Sequence, residues 1–312
     1  MNKIVIGTRG SLLALWQANF IKDSLIAKYP HINVELRIVK TKGDKILDTP
    51  LSKIGGKGLF TKELEVLLLN GEIDLAVHSL KDVPVEFESN LGLAAITKRE
   101  DTRDSFLSFK YNNIMELPGG AKVGTTSLRR VMQINCLRKD IDCVSLRGNV
   151  QTRLKRLRDG DFDAIILAQA GVNRLNITEV PIINQLDFIP AMGQAALGIE
   201  CRLDSQALPL LDFLNDRDSL FETTAERAFV RELNGGCQVP IGVNAKLKEN
   251  SMHIDAILGL PNGERIIKHD TTDIVSNLQD SENLGKKLAQ YFLSKGAENI
   301  LKLAQDWEFN LK

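Results

Sequence analysis

Short apolar runs that contain β-branched residues alternate with longer segments of helical period as far as about residue 216, and no other feature limits the fold as strongly. The run KIVIG at 3–7 has the composition of a buried strand, and residues 33–40 alternate between apolar and polar side chains as a half-buried strand does. Between them, Leu12, Trp16 and Phe20 recur at helical spacing. Strands that alternate with helices predict parallel or mixed α/β sheets.

The alternation runs through two successive stretches and then changes. Further strands are predicted at 73–79, 91–97, 121–124, 142–146 and 162–168, and further helices at 61–72, from 127, and at 149–160. From about residue 217, a helix at 219–233 precedes three strand-like runs, with a hairpin turn at PNGE, and one long helix at about 277–305. A chain of 312 residues is too long for one core. The sequence predicts two α/β domains followed by a smaller α+β domain.

The composition is that of an ordinary globular protein. Forty Lys and Arg balance 40 Asp and Glu, so no global field draws the chain to nucleic acid or to a membrane. The first residues lack a secretory signal pattern, and no apolar run approaches the roughly 20 residues that span a bilayer. Four cysteines without zinc-ligand spacing indicate free thiols and no metal site. We expect a cytoplasmic protein, with no identifiable oligomerisation surface and therefore a monomer.

Two segments repeat one pattern. VIGTRGSL at 5–12 and KVGTTSLRR at 122–130 both run from a strand through Gly-Thr to a serine and a helix, with arginine close by. Backbone N–H groups at a helix start have no partner within the helix and form anion sites. A Gly-Thr turn is also a common way to begin a helix. Two matching turns in successive α/β halves favour anions held in a cleft between the halves.

Residues 121–158 hold ten basic residues against two acidic ones. Arginine is preferred to lysine where planar carboxylates or phosphates are bound through two hydrogen bonds. Lys155, Arg156 and Arg158 fit a solvated helix face. A nucleic-acid groove is a second interpretation, but the stretch has no aromatic residue on which bases could stack. The separated arginines are better suited to a ligand with several carboxylates.

The segment HSLKDVP at 78–84 follows a predicted strand at its carboxyl end, where open α/β sheets bind ligands. Asp82 beside Lys81 could form a surface ion pair. Alternatively, Asp82 handles a proton or stabilises a cation in the cleft. The residues alone do not separate these alternatives.

A glycine-rich segment at 52–65 precedes a predicted helix. It resembles a phosphate-binding loop but lacks the residue spacing of one. A mobile lid with Lys57 and Phe60 exposed at its tip is an equally good interpretation of the segment.

Cys237 lies in ELNGGCQVPIG, between two glycines and a Gln-Val-Pro turn. A thiol protease needs a histidine base, and the four histidines lie in no protease motif. A small buried residue in a turn is the commonest role of a cysteine. The adjacent glycines leave room beside the backbone, which favours an attachment point.

Taken together, these segments resemble the porphobilinogen deaminase family, also called hydroxymethylbilane synthases. The resemblance covers nearly the whole chain. It rests on the ordered motifs TRGSLLALWQ, GGKGLFTKELE, AVHSLKDVP, REDTRD, GTTSLRR, SLRGNVQTRL, DAIILAQAG, GIECR and LNGGCQVPIG.

The resemblance implies a fold and a reaction. The fold is two α/β domains like those of periplasmic binding proteins around a cleft, here 1–97 with 193–216 and 98–192, plus a smaller α+β domain at 217–312. The family joins four porphobilinogens head to tail with loss of ammonia, and it primes the chain on a dipyrromethane cofactor. A thioether holds that cofactor to the cysteine of the GGC loop, here Cys237. Loss of ammonia leaves an electron-poor azafulvene, which the growing chain attacks.

The resemblance also assigns residues. Asp82 matches the catalytic aspartate. Besides Cys237, the residues expected to bind the cofactor are Lys81, Ser79, Thr125, Ser127, Arg129, Arg130, Asp44 and Gly236. The residues expected to bind substrate are Arg9, Ser11, Gln17, Lys57, Phe60, Arg147, Arg153, Arg174 and Gln194.

One position departs from the family. The family usually has Gly-Gln-Gly-Ala where this chain has GQAALG at 193–198, so Ala195 replaces a glycine. If that backbone needs a positive φ, alanine is strained there.

Two other functions fit parts of the sequence. A non-enzymatic two-lobed binding protein for small anions predicts no covalent cofactor and leaves Cys237 unused. A basic nucleic-acid binder predicts affinity that falls steeply with salt.

Overall fold

A computed structural model describes residues 1–41, 43, 61–235, 239–305 and 307 of the chain. These residues divide into two compact units. The first unit contains the described residues up to 100 together with 193–220, and the second contains 101–192 and the described residues from 221 onward.

The strands and helices follow in chain order. The strands are β1 (Lys3–Arg9), β2 (Asn33–Val39), β3 (Leu75–Ser79), β4 (Leu91–Ile96), β5 (Asp104–Ser108), β6 (Lys122–Gly124), β7 (Asp142–Val144), β8 (Ala164–Ala168), β9 (Ile182–Leu186), β10 (Leu197–Arg202), β11 (Ile241–Lys248), β12 (Ser251–Leu258) and β13 (Ile267–Ile274). The helices are α1 (Leu12–Lys28), α2 (Lys62–Leu69), α3 (Leu128–Leu137), α4 (Val150–Arg158), α5 (Gln169–Arg174), α6 (Leu208–Leu211), α7 (Arg217–Glu232), α8 (Leu278–Ser294) and α9 (Ala297–Gln305).

Two five-stranded sheets share one strand pattern. The first has the order β2-β1-β3-β10-β4 and the second the order β7-β6-β8-β5-β9. In each, three parallel strands are followed by one strand that runs antiparallel to both of its neighbours. The repeated Gly-Thr segments, at 5–12 and 122–130, include the carboxyl ends of β1 and β6, and these strands hold equivalent positions in the two sheets. The sequence repeat therefore marks a structural repeat.

Helix α1 shows how the first sheet is covered. Ser11 caps the helix by accepting a 3.3 Å hydrogen bond from the Ala14 N–H. The buried face carries Ala18, Ile21 and Leu25, which join the core of the first unit. The three residues whose spacing predicted the helix, Leu12, Trp16 and Phe20, are exposed. The period was therefore informative about the helix but not about its buried face.

A separate antiparallel sheet, β11-β12-β13, lies in the second unit with α8, α9 and the part of α7 from residue 221 onward. Helices α7 and α8 approach so closely that a Cβ at Gly285 would lie 2.1 Å from the Ala225 carbonyl oxygen. The single helix predicted at 277–305 is wrong. Gly296 has a φ of +88°, outside the right-handed region, and separates α8 from α9.

The two five-stranded mixed sheets and the smaller three-stranded sheet confirm the predicted fold class. Within the second unit, the Val243 N–H donates to the Pro190 carbonyl at 2.9 Å, and Met132, Ile189 and Ile257 form one apolar cluster. The predicted boundary at 216/217, where the second segment of the first domain ends and the third domain begins, stays a prediction.

Candidate active site

In the first unit, predicted site residues gather at one edge of the sheet. Arg9 is the last residue of β1 and Ser79 the last of β3, and these strands are parallel neighbours. The carboxyl ends of parallel strands form the usual ligand edge of an open α/β sheet. Ser11 begins α1 directly after β1, and the one-turn 3-10 helix Leu80–Asp82 directly follows β3.

Two long-range hydrogen bonds join these residues to other predicted ones. The Gln17 side-chain amide donates to the Ser79 hydroxyl at 2.8 Å. The Lys81 Nζ donates to Gln194 Oε1 at 3.3 Å, and Gln194 is fully buried. The structure thus brings together residues that are 62 and 113 positions apart in the sequence.

Asp82 lies on a firmly anchored turn. The Val83 N–H donates to the Leu80 carbonyl at 3.1 Å, and both side chains are fully buried. A Cβ at Gly193, whose φ is +67°, would lie 2.8 Å from Leu80 Cγ, so Leu80 packs directly on that backbone. Asp82 itself is half-buried, and within the part of the chain that the structure describes its carboxylate accepts no hydrogen bond. Its charge is therefore available to a ligand.

A buried polar cluster, which the sequence did not predict, includes His78, shortly before this turn in the chain. His78 Nε2 lies 2.9 Å from Glu200 Oε2, and both side chains are buried. The Thr61 hydroxyl donates to Glu65 Oε1 at 2.5 Å. Burial raises the pKa of Glu65, and the negative charge of Glu200 adds to this, while the Thr61 hydrogen bond opposes it. No sequence pattern around His78 or Glu200 indicates their pairing, because it depends on the register of β3 against β10.

In the second unit, predicted residues follow the carboxyl ends of β6, β7 and β8. Thr125 follows β6 and is buried, and its hydroxyl accepts a 3.2 Å hydrogen bond from the N–H of Ser127, the residue directly before α3. Arg147 follows β7, and Arg174 ends α5, the helix after β8. Arg153 in α4 donates from Nε to the Gly148 carbonyl at 2.9 Å. Burial lowers the pKa of Arg147.

Arg129 and Arg130, in the first turn of α3, are buried against Asp104. Arg129 Nη1 lies 2.7 Å from Asp104 Oδ2, and Arg130 Nη2 lies 2.7 Å from Asp104 Oδ1. Burial acts to raise the pKa of Asp104, but the two guanidiniums outweigh it and hold that pKa well below its usual range. Both guanidiniums are therefore bound on one side by this carboxylate.

Other basic residues between 121 and 158 form surface ion pairs. Arg138 pairs with Asp140, Lys155 with Asp159 and Arg156 with Asp161. Arg158 lies 4.0 Å from Glu179. Exposed pairs contribute little, about 0–1 kcal/mol. The solvated helix face expected for Lys155, Arg156 and Arg158 is confirmed.

Five predicted site residues lie outside the described residues: Asp44, Lys57, Phe60, Gly236 and Cys237. Their assignments stay predictions. Among the described residues, no group of three or more His, Cys, Asp or Glu side chains could hold a metal ion. No helix in those same residues is long and apolar enough to cross a membrane.

The chain matches two family models. Residues 4–209 match the model described as "Porphobilinogen deaminase, dipyromethane cofactor binding domain", and residues 220–294, which include position 237, match "Porphobilinogen deaminase, C-terminal domain". Curated relatives named porphobilinogen deaminase occur in Helicobacter hepaticus, 58% identical over 97% of this chain and 95% of the relative, and in Campylobacter concisus, 56% identical over 98% and 99%.

Solved structures match at lower similarity. They include YhfZ from Shigella flexneri, with 18% identity, a TM-score of 0.39 and coverage of 74% of this chain and 96% of that one.

Proposed function

Because the chain belongs to the porphobilinogen deaminase family, we propose that it joins four porphobilinogen molecules head to tail into linear hydroxymethylbilane and releases one ammonia at each step. The arrangement that carries this proposal is the Leu80–Asp82 turn at the ligand edge of the first sheet, with arginines at the equivalent edge of the second. The first supplies a carboxylate for cationic chemistry, and the second supplies cations for carboxylate ligands.

The arginines suit the substrate. Each porphobilinogen carries an acetate and a propionate, so each addition brings two more carboxylates into the site. Burying them without partners would be costly. We assign carboxylate binding to Arg9, Arg129, Arg130, Arg147, Arg153 and Arg174. Lys81, Ser11, Gln17, Ser79, Thr125, Ser127 and Gln194 complete the predicted contacts among described residues.

Asp82 is assigned the catalytic role. Loss of ammonia from porphobilinogen places positive charge on a pyrrole, and a carboxylate near the pyrrole nitrogen stabilises that charge. The same carboxylate can accept the proton that the pyrrole α-carbon of the growing chain loses once that carbon has attacked the azafulvene. A rigid turn suits this role because the carboxylate must keep one position through four additions.

The described residues fit a dipyrromethane as the resident cofactor. Arg129 and Arg130 each hold a buried Nε–H that has no hydrogen-bond partner among them, and the carboxylates of a dipyrromethane are suitable acceptors. The dipyrromethane, when bound through a thioether to Cys237, supplies the pyrrole α-carbon at which chain growth starts. Burial raises the pKa of Cys143 to about 12 and that of Cys201 to about 11, which makes these two thiols poor nucleophiles.

We further propose that the chain acts in the cytoplasm as a monomer without nucleic acid or membrane. Light scattering on the purified protein tests the monomer directly.

Intact mass followed by peptide mapping tests the function. We expect a surplus equal to two linked pyrroles on Cys237. It should be absent in Cys237→Ala and kept in Cys136→Ala, a control that removes an exposed thiol. The protein should then convert porphobilinogen to hydroxymethylbilane. If Cys237 stays unmodified even after porphobilinogen is added and no product forms, the proposal fails and a small-anion-binding protein takes its place.

A further inference from the structure

Asp104 is the first residue of β5 and is fully buried in the second unit. Its two oxygens bind different side chains, Oδ1 accepting from Arg130 and Oδ2 from Arg129, each at 2.7 Å. One carboxylate therefore bridges two consecutive guanidiniums. It lies in the REDTRD segment, to which the proposed reaction assigns no task.

The backbone fixes the same two guanidiniums from other sides. Arg129 Nη1 also donates to the Ile189 carbonyl at 2.7 Å, and Arg130 Nη1 donates to the Ile166 carbonyl at 2.8 Å. Gln133 in turn holds Ile189, accepting from its N–H at 2.8 Å and donating to its carbonyl at 3.0 Å. Contacts from several segments at this spacing leave the arginine side chains little rotamer freedom.

The pair is nevertheless incompletely neutralised. Two guanidiniums face one carboxylate, which leaves a surplus of one positive charge. Each Nε–H is buried and lacks a hydrogen-bond partner among the described residues. Buried donors without acceptors are rare in native proteins, and here both belong to cations. An anionic acceptor would neutralise the surplus charge and accept hydrogen bonds from the two Nε–H donors.

We propose that Asp104 is a positioning residue that orients Arg129 and Arg130 and reduces their charge, so that the pair binds a single ligand carboxylate. With Asp104 in place, one carboxylate makes the group neutral, whereas a second would leave excess negative charge in a buried site. The ligand that we assign to the pair is one acetate or propionate side chain of a bound pyrrole. This inference rests on the proposed function for the identity of that ligand, but the charge and geometry of the pair do not depend on it.

Asp104→Asn tests the inference because it keeps the shape of the side chain and removes its charge. We expect dipyrromethane occupancy, measured by intact mass, to fall by at least about tenfold, as loss of an oriented charge-assisted hydrogen bond predicts. The second expected result is a larger rise in melting temperature on adding inorganic phosphate, because the pair now carries two surplus charges. A residue with only a structural role would not produce this gain for a dianion.

Glu226→Gln is the matched control, since Glu226 is also fully buried and accepts from the Ala245 N–H at 2.8 Å. It should leave both occupancy and the phosphate effect as in the unsubstituted protein.

If Asp104→Asn does not fold, Asp104→Glu keeps the charge but displaces the guanidiniums, and occupancy should still fall while the phosphate effect stays unchanged. Folded variants with normal occupancy and an unaltered phosphate effect overturn the inference. An unmodified Cys237 in the unsubstituted protein instead overturns the proposed function, and the phosphate measurement then still decides the role of Asp104.

Discussion

His78 Nε2 lies 2.9 Å from Glu200 Oε2, and this pair is buried in the sheet immediately before the segment that ends in Asp82. Strands β3 and β10 are antiparallel with Gly198 opposite His78, so both polar side chains lie on the same face of the sheet. Glu200 Oε1 has no hydrogen-bond partner among the described residues. His78 is therefore the partner on which that carboxylate depends.

Replacing His78 by phenylalanine should strongly destabilise the first unit. The change leaves the Glu200 carboxylate buried without its partner, which typically costs about 3–5 kcal/mol. The double variant His78→Phe, Glu200→Leu should recover much of this loss, because no charge is then left buried. Urea unfolding measures both. As a control, Lys3→Ala breaks an exposed pair with Glu35 and should change stability little. A double variant as unstable as His78→Phe would argue against the explanation.

Asp82→Asn should reduce turnover by at least about a hundredfold, since asparagine can neither stabilise a cation by charge nor accept the proton. The steady-state rate is to be measured on protein whose cofactor content has been verified by intact mass. Glu88→Gln is a suitable comparison because Glu88 is an exposed acid a few residues further along the chain. Near-normal turnover of a fully primed Asp82→Asn protein would exclude the assigned role.

Glu65 should make stability depend on pH. Its pKa is raised by burial from the ordinary 4.5, so the folded protein holds the proton more tightly than the unfolded chain. Stability from this group is therefore full below about pH 4.5 and declines as the pH rises through the folded pKa. Glu65→Gln should match the unsubstituted protein near pH 4 and exceed it near pH 8 in urea unfolding.

Glu35 provides a control of opposite sign. The hydrogen bond from Lys3 lowers its pKa, so its contribution is present above the unfolded pKa and is lost as the pH falls. Glu35→Gln should therefore not stabilise the protein at pH 8. If Glu65→Gln gives the same difference at every pH, proton linkage is not the cause.

Local sequence predicted the parts of the fold that depend on near neighbours. The Gly-Thr segments predicted two equivalent helix starts. The two helices that begin there, α1 and α3, follow the equivalent strands β1 and β6. Strand β5 was not predicted, because it opens with Asp104, whose burial is possible only against arginines at least 25 positions away. The helix after residue 277 was predicted too long because helical period continues across Gly296.

The structure brings several predicted site residues together through contacts that the sequence did not predict. Family motifs named Gln17, Ser79, Lys81 and Gln194, yet spacing alone gives no reason for Gln17 to bind Ser79 or for Lys81 to bind Gln194. Asp104 was missed as a site residue, although REDTRD was recognised as a motif. A buried acid that serves two arginines becomes visible only when the strands are placed side by side.

Ala195 should carry measurable backbone strain. Its φ is +77°, the left-handed region that costs a non-glycine residue about 1–2 kcal/mol. Ala195→Gly relieves that strain but adds freedom to the unfolded chain, about 0.5–1 kcal/mol, and removes a buried methyl, about 0.8 kcal/mol. The free energy of unfolding should therefore change by less than about 1 kcal/mol.

Ala196→Gly is the matched control, since Ala196 is also buried and is not among the residues with positive φ. It has no strain to relieve and should lose about 1–2 kcal/mol in urea unfolding. Equal losses in the two variants would mean that the backbone at Ala195 is relaxed.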